Sequence, residues 1–170
     1  FVQHLALSSD QTAEILRIID KIEKVGPDAT RAALIQSLNA AASPASQGDS
    51  ANLAEKILKL VSMKTSKAGE ILDHIAAIGV ENTLLQEGAE ELSFVMSQLS
   101  HLPPGAVVAD LSIVRGLDYY TGTVYETVFT ENPGYGSICS GGRYDDLASG
   151  YINKNLPGVG MSIGFSRLFS

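Results

Sequence analysis

Arginine, tyrosine and glycine cluster at three places in this chain. The first is Val114-Arg115-Gly116-Leu117-Asp118-Tyr119-Tyr120-Thr121-Gly122-Thr123-Val124-Tyr125-Glu126, which sets a guanidinium at the start of a strand pattern with two adjacent phenols. Successive strand side chains point to opposite faces, so Tyr120, Gly122, Val124 and Glu126 share one face and Tyr119, Thr121, Thr123 and Tyr125 the other. Gly122 leaves space beside Tyr120 for a ligand or a second backbone. Spacing alone favours ordinary half-buried tyrosines, a bulge at Gly122 and a solvated Arg115, because strands are normally rich in aromatics.

The second cluster is Ser140-Gly141-Gly142-Arg143-Tyr144-Asp145-Asp146-Leu147. Here paired glycines leave a strand and enter polar sequence. They permit close backbone approach to a ligand, or simply a tight turn across which Arg143 and Asp145 ion-pair. The third is Gly158-Val159-Gly160-Met161-Ser162-Ile163-Gly164-Phe165-Ser166-Arg167-Leu168, a glycine-spaced strand opening into a helix. It is no dinucleotide fingerprint, because its glycines lie within the strand and no βαβ unit surrounds them. Glycines there make a flat floor for a planar ligand, and Arg167 can reach a phosphate or stack on a base.

Two kinds of element must position these clusters. From Ser8 to about Leu99 apolar residues recur three and four apart, the period of amphipathic helices. Ser8 with Gln11 forms a capping box, Ile15, Ile18, Ile19, Ile22 and Val25 make one stripe, and Gly26-Pro27 is a stop. Asp28 caps a second helix carrying Ala32, Ile35 and Leu38, followed by an exposed polar loop from Ser43 to Ser50. Leu53 to Val61, Ile71 to Ile78 and Leu84 to Leu99 predict three more helices. After Pro103-Pro104-Gly105 the period shifts toward two. Val107 to Val114, Tyr119 to Thr130, Tyr135 to Ser140 and Gly158 to Phe165 read as strands, with antiparallel pairing implied by the turn at Asn132-Pro133-Gly134 and a helix starting near Ser166. Helices first and strands later make an α+β architecture.

Composition narrows the functional classes. The 170 residues are 45% hydrophobic and carry a net charge of −7, so the chain has a core's worth of apolar material but little affinity of its own for a phosphate backbone. Lys56, Lys59, Lys64 and Lys67 could contact RNA or form a solvated helix face. The longest apolar runs fall far short of the ~20 residues of a membrane helix. The chain has no signal-peptide pattern and no initiator methionine, which suggests a segment of a longer protein. A single cysteine, Cys139, excludes an internal disulfide, fits a reducing compartment and reads as a small apolar residue. His4, His74 and His101 lack metal-ligand spacing.

Taken together and in this order, the clusters resemble those of histidyl-tRNA synthetases. Arg115-Gly116-Leu117-Asp118-Tyr119-Tyr120 is similar to the family's first histidine-specific motif, Gly141-Gly142-Arg143-Tyr144-Asp145 to the second, and Gly164-Phe165-Ser166-Arg167-Leu168 to class II motif 3. The close match runs from about Val107 to the chain end, and the earlier helices resemble the family's inserted helical domain. The resemblance implies a helical insertion domain over residues 1–100. Residues 101–170 would then be the later part of a class II catalytic domain, contributing strands to an antiparallel sheet whose other strands lie elsewhere in the protein.

In that family histidine is joined to ATP, pyrophosphate leaves, and the activated histidine passes to tRNA(His). The resemblance implies that Arg115 is catalytic and contacts the α-phosphate, and that Tyr119, Tyr120 and Tyr144 meet the histidine. Gly141 and Gly142 would line the amino-acid pocket, with Gly164 under the adenine and Arg167 on the adenine ring and terminal phosphates. Mg2+ would arrive with the nucleotide, no protein metal site being visible. A cytoplasmic homodimer is expected of the whole protein. Motif 1, motif 2 with its arginine, the acidic residue that reads the imidazole and the anticodon-binding domain do not occur in these residues, so the segment is expected to be inactive alone. The alternatives are relatives sharing the fold: the regulatory subunit of ATP phosphoribosyltransferase, or a synthetase-like domain of a translation-control kinase. The intact first motif together with Arg167 weighs toward a synthetase.

Overall fold

The computed structural model describes residues 8–41, 49–114, 120–147, 149, 151, 152 and 154–169, with Ser9 and Ala41 as backbone only. His4, most of the polar loop before Ser50, and Arg115 to Tyr119 lie outside these residues. Two compact units divide between Val114 and Arg115. The expected boundary after residue 100 is earlier, because residues 101–114 fold with the helices.

The first unit opens with α1 (Ser9–Ile19). Its capping box forms as the sequence predicts: Ser8 Oγ accepts from Gln11 N at 3.3 Å and Gln11 Oε1 accepts from Ser8 N at 2.8 Å. The expected single stripe to Val25 is interrupted. At Lys21 the amide bonds back to Ile18, one residue short of helical spacing, and the chain restarts as α2 (Ile22–Val25), turning Val25 out to solvent. Gly26 stops α2 at φ +84°, a conformation other residues reach only with strain.

Helix α3 (Pro27–Ala41) begins one residue before the expected Asp28 cap, since proline suits a first helical position where no amide donor is needed. Its buried face is Thr30, Leu34 and Leu38 rather than Ala32, which is exposed. The Thr30 hydroxyl can be buried because it donates to Gly26 O at 2.8 Å. Helix α4 (Ser50–Val61) completes this layer: Ile15, Ile19, Leu34, Leu38, Ala54, Ile57, Leu58 and Val61 form one core.

A second core joins Met63, Ile71, Ile75, Ile78, Ala89, Met96 and Ala109 around α5 (Ala68–Ala76) and α6 (Thr83–Gln98). The strand expected over Val107 to Val114 shortens to β2 (Ala109–Asp110), paired antiparallel with β1 (Lys64–Thr65). Asp110 ends it, because its carboxylate accepts from Ser112 N at 2.9 Å and Ser112 Oγ at 2.6 Å and turns the chain. Lys64 lies opposite and ion-pairs with Asp110 at 2.7 Å and Glu23 at 3.2 Å, which holds its ammonium above the ordinary lysine range. Lys59 donates to Ala77 O at 2.6 Å and Lys67 to Glu70 at 2.7 Å. Three of the four lysines considered as an RNA patch thus have partners within the unit.

Between the two cores lies an apolar cavity of ≈320 Å³, lined by residues that include Ile19, Ile57, Ile71, Leu85 and Gly88. A Cβ added at Gly88, in the interior of α6, meets nothing within 4 Å. Gly88→Ala should therefore stabilise the chain by about 1 kcal/mol through helix propensity. The urea midpoint measures it; an unchanged or lower midpoint would refute the assignment of free space there.

The second unit is a three-stranded antiparallel sheet in the order β3 (Val124–Thr127), β4 (Cys139–Tyr144), β5 (Gly158–Ile163), followed by α7 (Phe165–Leu168). The strand expected over Tyr135 to Ser140 is displaced toward the glycines: Pro133–Tyr135 forms a 3-10 turn, and the ladder starts at Cys139. Gly141 and Gly142 accordingly sit inside the central strand, not in a turn. Two facing strands supply the pairing that weak glycine propensity cannot. Among the described residues no helix is long and apolar enough to cross a membrane.

Candidate active site

The sheet register decides which chemistry-bearing residues meet. Val124 pairs with Gly142 and Gly142 with Gly160; Glu126 pairs with Ser140 and Ser140 with Ser162; Tyr144 pairs with Gly158. Directly paired residues project to the same side, so one face carries Val124, Glu126, Ser140, Gly142, Tyr144, Gly158, Gly160 and Ser162. The Tyr120 ring lies on this face, against Gly142: a Cβ there would stand 2.8 Å from Tyr120 Cδ1. The ring of Tyr144 crosses Gly158 and Gly160, 2.7 Å and 3.3 Å from where their Cβ atoms would be. On this face the two tyrosine rings lie over the glycines.

The room for Tyr120 therefore comes from Gly142 across the sheet, where the sequence pointed to Gly122. Likewise the third cluster's glycines accommodate Tyr144. Of the paired glycines, only Gly142 belongs to the tyrosine face. Gly141 points to the other side, where a Cβ would fall inside contact distance of Gly160 O and the Tyr125 hydroxyl. Tyr125 donates to Gly160 O at 2.8 Å, tying β3 to β5 beneath β4. Val159, Met161 and Ile163 make that opposite side of β5 apolar and exposed.

Arg167 is held at the edge of this unit. Its guanidinium donates to Ser137 O, and Gly164 N donates to Ile138 O at 2.8 Å, so the turn from β5 into α7 is anchored to the start of β4. A Cβ at Gly164 would lie 3.4 Å from Ile138 O, an ordinary contact. Arg115 and Tyr119 fall outside the described residues.

Sequence reasoning overlooked the joint behind the tyrosines. Thr121 N donates to Arg143 O at 3.0 Å and Arg143 N to Thr123 O at 2.9 Å, so the chain leaves the ladder before β3 and loops at Gly122 around Arg143, bringing Thr121 to Asp145. Thr121 Oγ1 donates to Asp145 Oδ2 at 2.8 Å and accepts from Asp145 N at 3.0 Å. Arg143 adds a forked pair to the same carboxylate, at 3.1 Å and 3.2 Å. The Arg143 guanidinium and then the Thr121 hydroxyl hold Asp145 below the usual carboxylate range. The only signal in the sequence was the two-residue spacing of Arg143 and Asp145, which by itself gives no cross-strand partner.

The remaining candidates are local. His74 Nδ1 lies 2.7 Å from Glu70 O and His101 Nδ1 3.0 Å from Gln98 O, each within its own turn of chain. Cys139 is half-buried at the start of β4. Among the described residues no three His, Cys, Asp or Glu side chains are grouped to hold a metal ion.

Comparison with known proteins places this geometry. The family model described as histidyl-tRNA synthetase matches residues 22–168. The histidine–tRNA ligase of Thermobifida fusca (strain YX) is 47% identical over 156 residues, covering 92% of this chain and 33% of that protein. That of Micrococcus luteus is 48% identical over 159 residues, covering 94% and 32%. A crystal structure of histidyl-tRNA synthetase from Nostoc sp. PCC 7120 superposes with a TM-score of 0.79 at 33% identity, covering 99% of this chain and 38% of that one. The chain spans about a third of the length of the curated relatives it matches. Its mixed helical and antiparallel architecture is that of a class II synthetase, and the chain belongs to the histidyl-tRNA synthetase family.

Proposed function

We propose that this chain is part of a cytoplasmic histidine–tRNA ligase, supplying the helical insertion and one side of the pocket in which histidine is activated with ATP. The observation that carries this is the single sheet face on which Tyr120 and Tyr144 both lie, their rings seated over Gly142, Gly158 and Gly160. Tyr120 and Tyr144, with Gly142, contact the histidine. A phenol donates to or accepts from an imidazole nitrogen, so the pair discriminates by hydrogen-bond pattern as well as by shape. Tyr119 and Gly141 belong to the same segments and support the pocket.

Arg115 contacts the α-phosphate, where a fixed guanidinium offsets charge as the histidine carboxylate attacks and pyrophosphate departs. Gly164 and Arg167 take the adenine and the terminal phosphates from the turn into α7. Mg2+ enters with the ATP substrate. The whole protein is a homodimer that acts on tRNA(His), with RNA contacts mainly outside this acidic segment.

Histidine-dependent ATP–pyrophosphate exchange tests this directly. The product of the full reading frame should exchange and the isolated 170 residues should not. Silence from a folded full-length product would favour the regulatory paralogue of ATP phosphoribosyltransferase. Exchange by the isolated chain would overturn the incompleteness of its site.

A further inference from the structure

We infer that Thr121 and Asp145 form a positioning clamp that sets the spacing of Tyr120 and Tyr144, and through it the affinity for histidine. This rests on the assignment of the tyrosine face to histidine. The geometry gives the clamp a definite place. Thr121 follows Tyr120 and Asp145 follows Tyr144, and the two meet just beyond the β3–β4 ladder through the Thr121 hydroxyl. Arg143 alternates with Gly142 and Tyr144 in β4, so the carboxylate it grips, and the Thr121 hydroxyl bound to it, lie toward the face opposite the tyrosines, away from a ligand bound there.

What they control is backbone. Thr121 is held by its amide to Arg143 O and by its hydroxyl to the Asp145 carboxylate and amide, at 3.0, 2.8 and 3.0 Å. β3 itself begins only at Val124, so this joint fastens the Tyr120 end of the segment beyond the regular ladder. Arg143 grips the same carboxylate through two nitrogens, which fixes the Asp145 rotamer. Loosening the joint lets the strand end carrying Tyr120 move away from Gly142 while β4, paired on both sides, keeps Tyr144 in place.

The test uses the full-length product and reads KM for histidine and for ATP separately, with kcat and melting temperature. Thr121→Val is nearly isosteric and removes the hydroxyl; Asp145→Asn weakens the charge-assisted pairs. Each should raise KM for histidine by about tenfold, the loss expected for a hydrogen bond to a charged group, while KM for ATP stays within about twofold. Thr121→Ser, which keeps the hydroxyl, should behave as wild type. A purely structural role would lower melting temperature and active fraction without separating the two KM values, and that result overturns the clamp. So does an unchanged KM for histidine in folded Thr121→Val. Absence of exchange by the wild-type product is a different failure, because it removes the functional assignment itself and the clamp's role with it.

Discussion

Arg115→Ala is expected to lower kcat for histidine-dependent exchange in the full-length product by about 10²–10³-fold, with KM for histidine changed by less than about threefold. Charge on the α-phosphate rises as the carboxylate attacks, and a guanidinium held beside it is worth more in that state than in the ground state. Lysine is a partial substitute: it supplies charge but not a planar fork, so Arg115→Lys should fall between alanine and wild type. If Arg115→Ala retained kcat within tenfold, the α-phosphate assignment would be wrong. A rise confined to KM would instead make Arg115 a ground-state binding residue.

Gly141→Ala should cost the second unit about 3 kcal/mol, a large fraction of typical domain stabilities of about 5–15 kcal/mol and a clear drop in its denaturant midpoint. A Cβ at Gly141 meets the Gly160 carbonyl, and that oxygen is backbone of β5 and cannot rotate aside. It also meets the Tyr125 ring, 2.6 Å from Cζ, and displaces the Tyr125 hydroxyl from its bond to Gly160 O. Gly142→Ala provides the contrast. Its obstacle is the Tyr120 ring, a side chain and not strand backbone, so the loss of stability should be smaller and histidine affinity should fall. Denaturant midpoints for the two variants decide the matter; equal midpoints would contradict the register-based division of the two glycines.

The helical half was legible wherever its determinants are local. Ser8 and Gln11 satisfy each other's amides across three residues, and such a signal survives any tertiary context. The phase of α3 was not legible, because Ala32 and Leu34 both suit a helix and only packing against α1 and α4 selects Leu34. The end of β2 also escaped, since Asp110 acts there through its own side chain against a run that otherwise reads as strand. β4 was displaced for a similar reason: Gly141 and Gly142 favour no strand by themselves, and β3 and β5 impose one from both sides.

The sequence by itself determined the family resemblance, the order of helices and strands, and the residues able to do chemistry, because these depend on side-chain identity and short-range period. Which residues share a face was decided by the tertiary structure. Glycine carries no mark of what occupies the space it leaves, so Gly142, Gly158 and Gly160 could equally have served a ligand, a turn or a neighbour. Cross-strand packing assigns them to Tyr120 and Tyr144 and sends Gly141 to the opposite side, while the departure of the chain from the ladder at Gly122 brings Thr121 to Asp145 across twenty-four residues of chain.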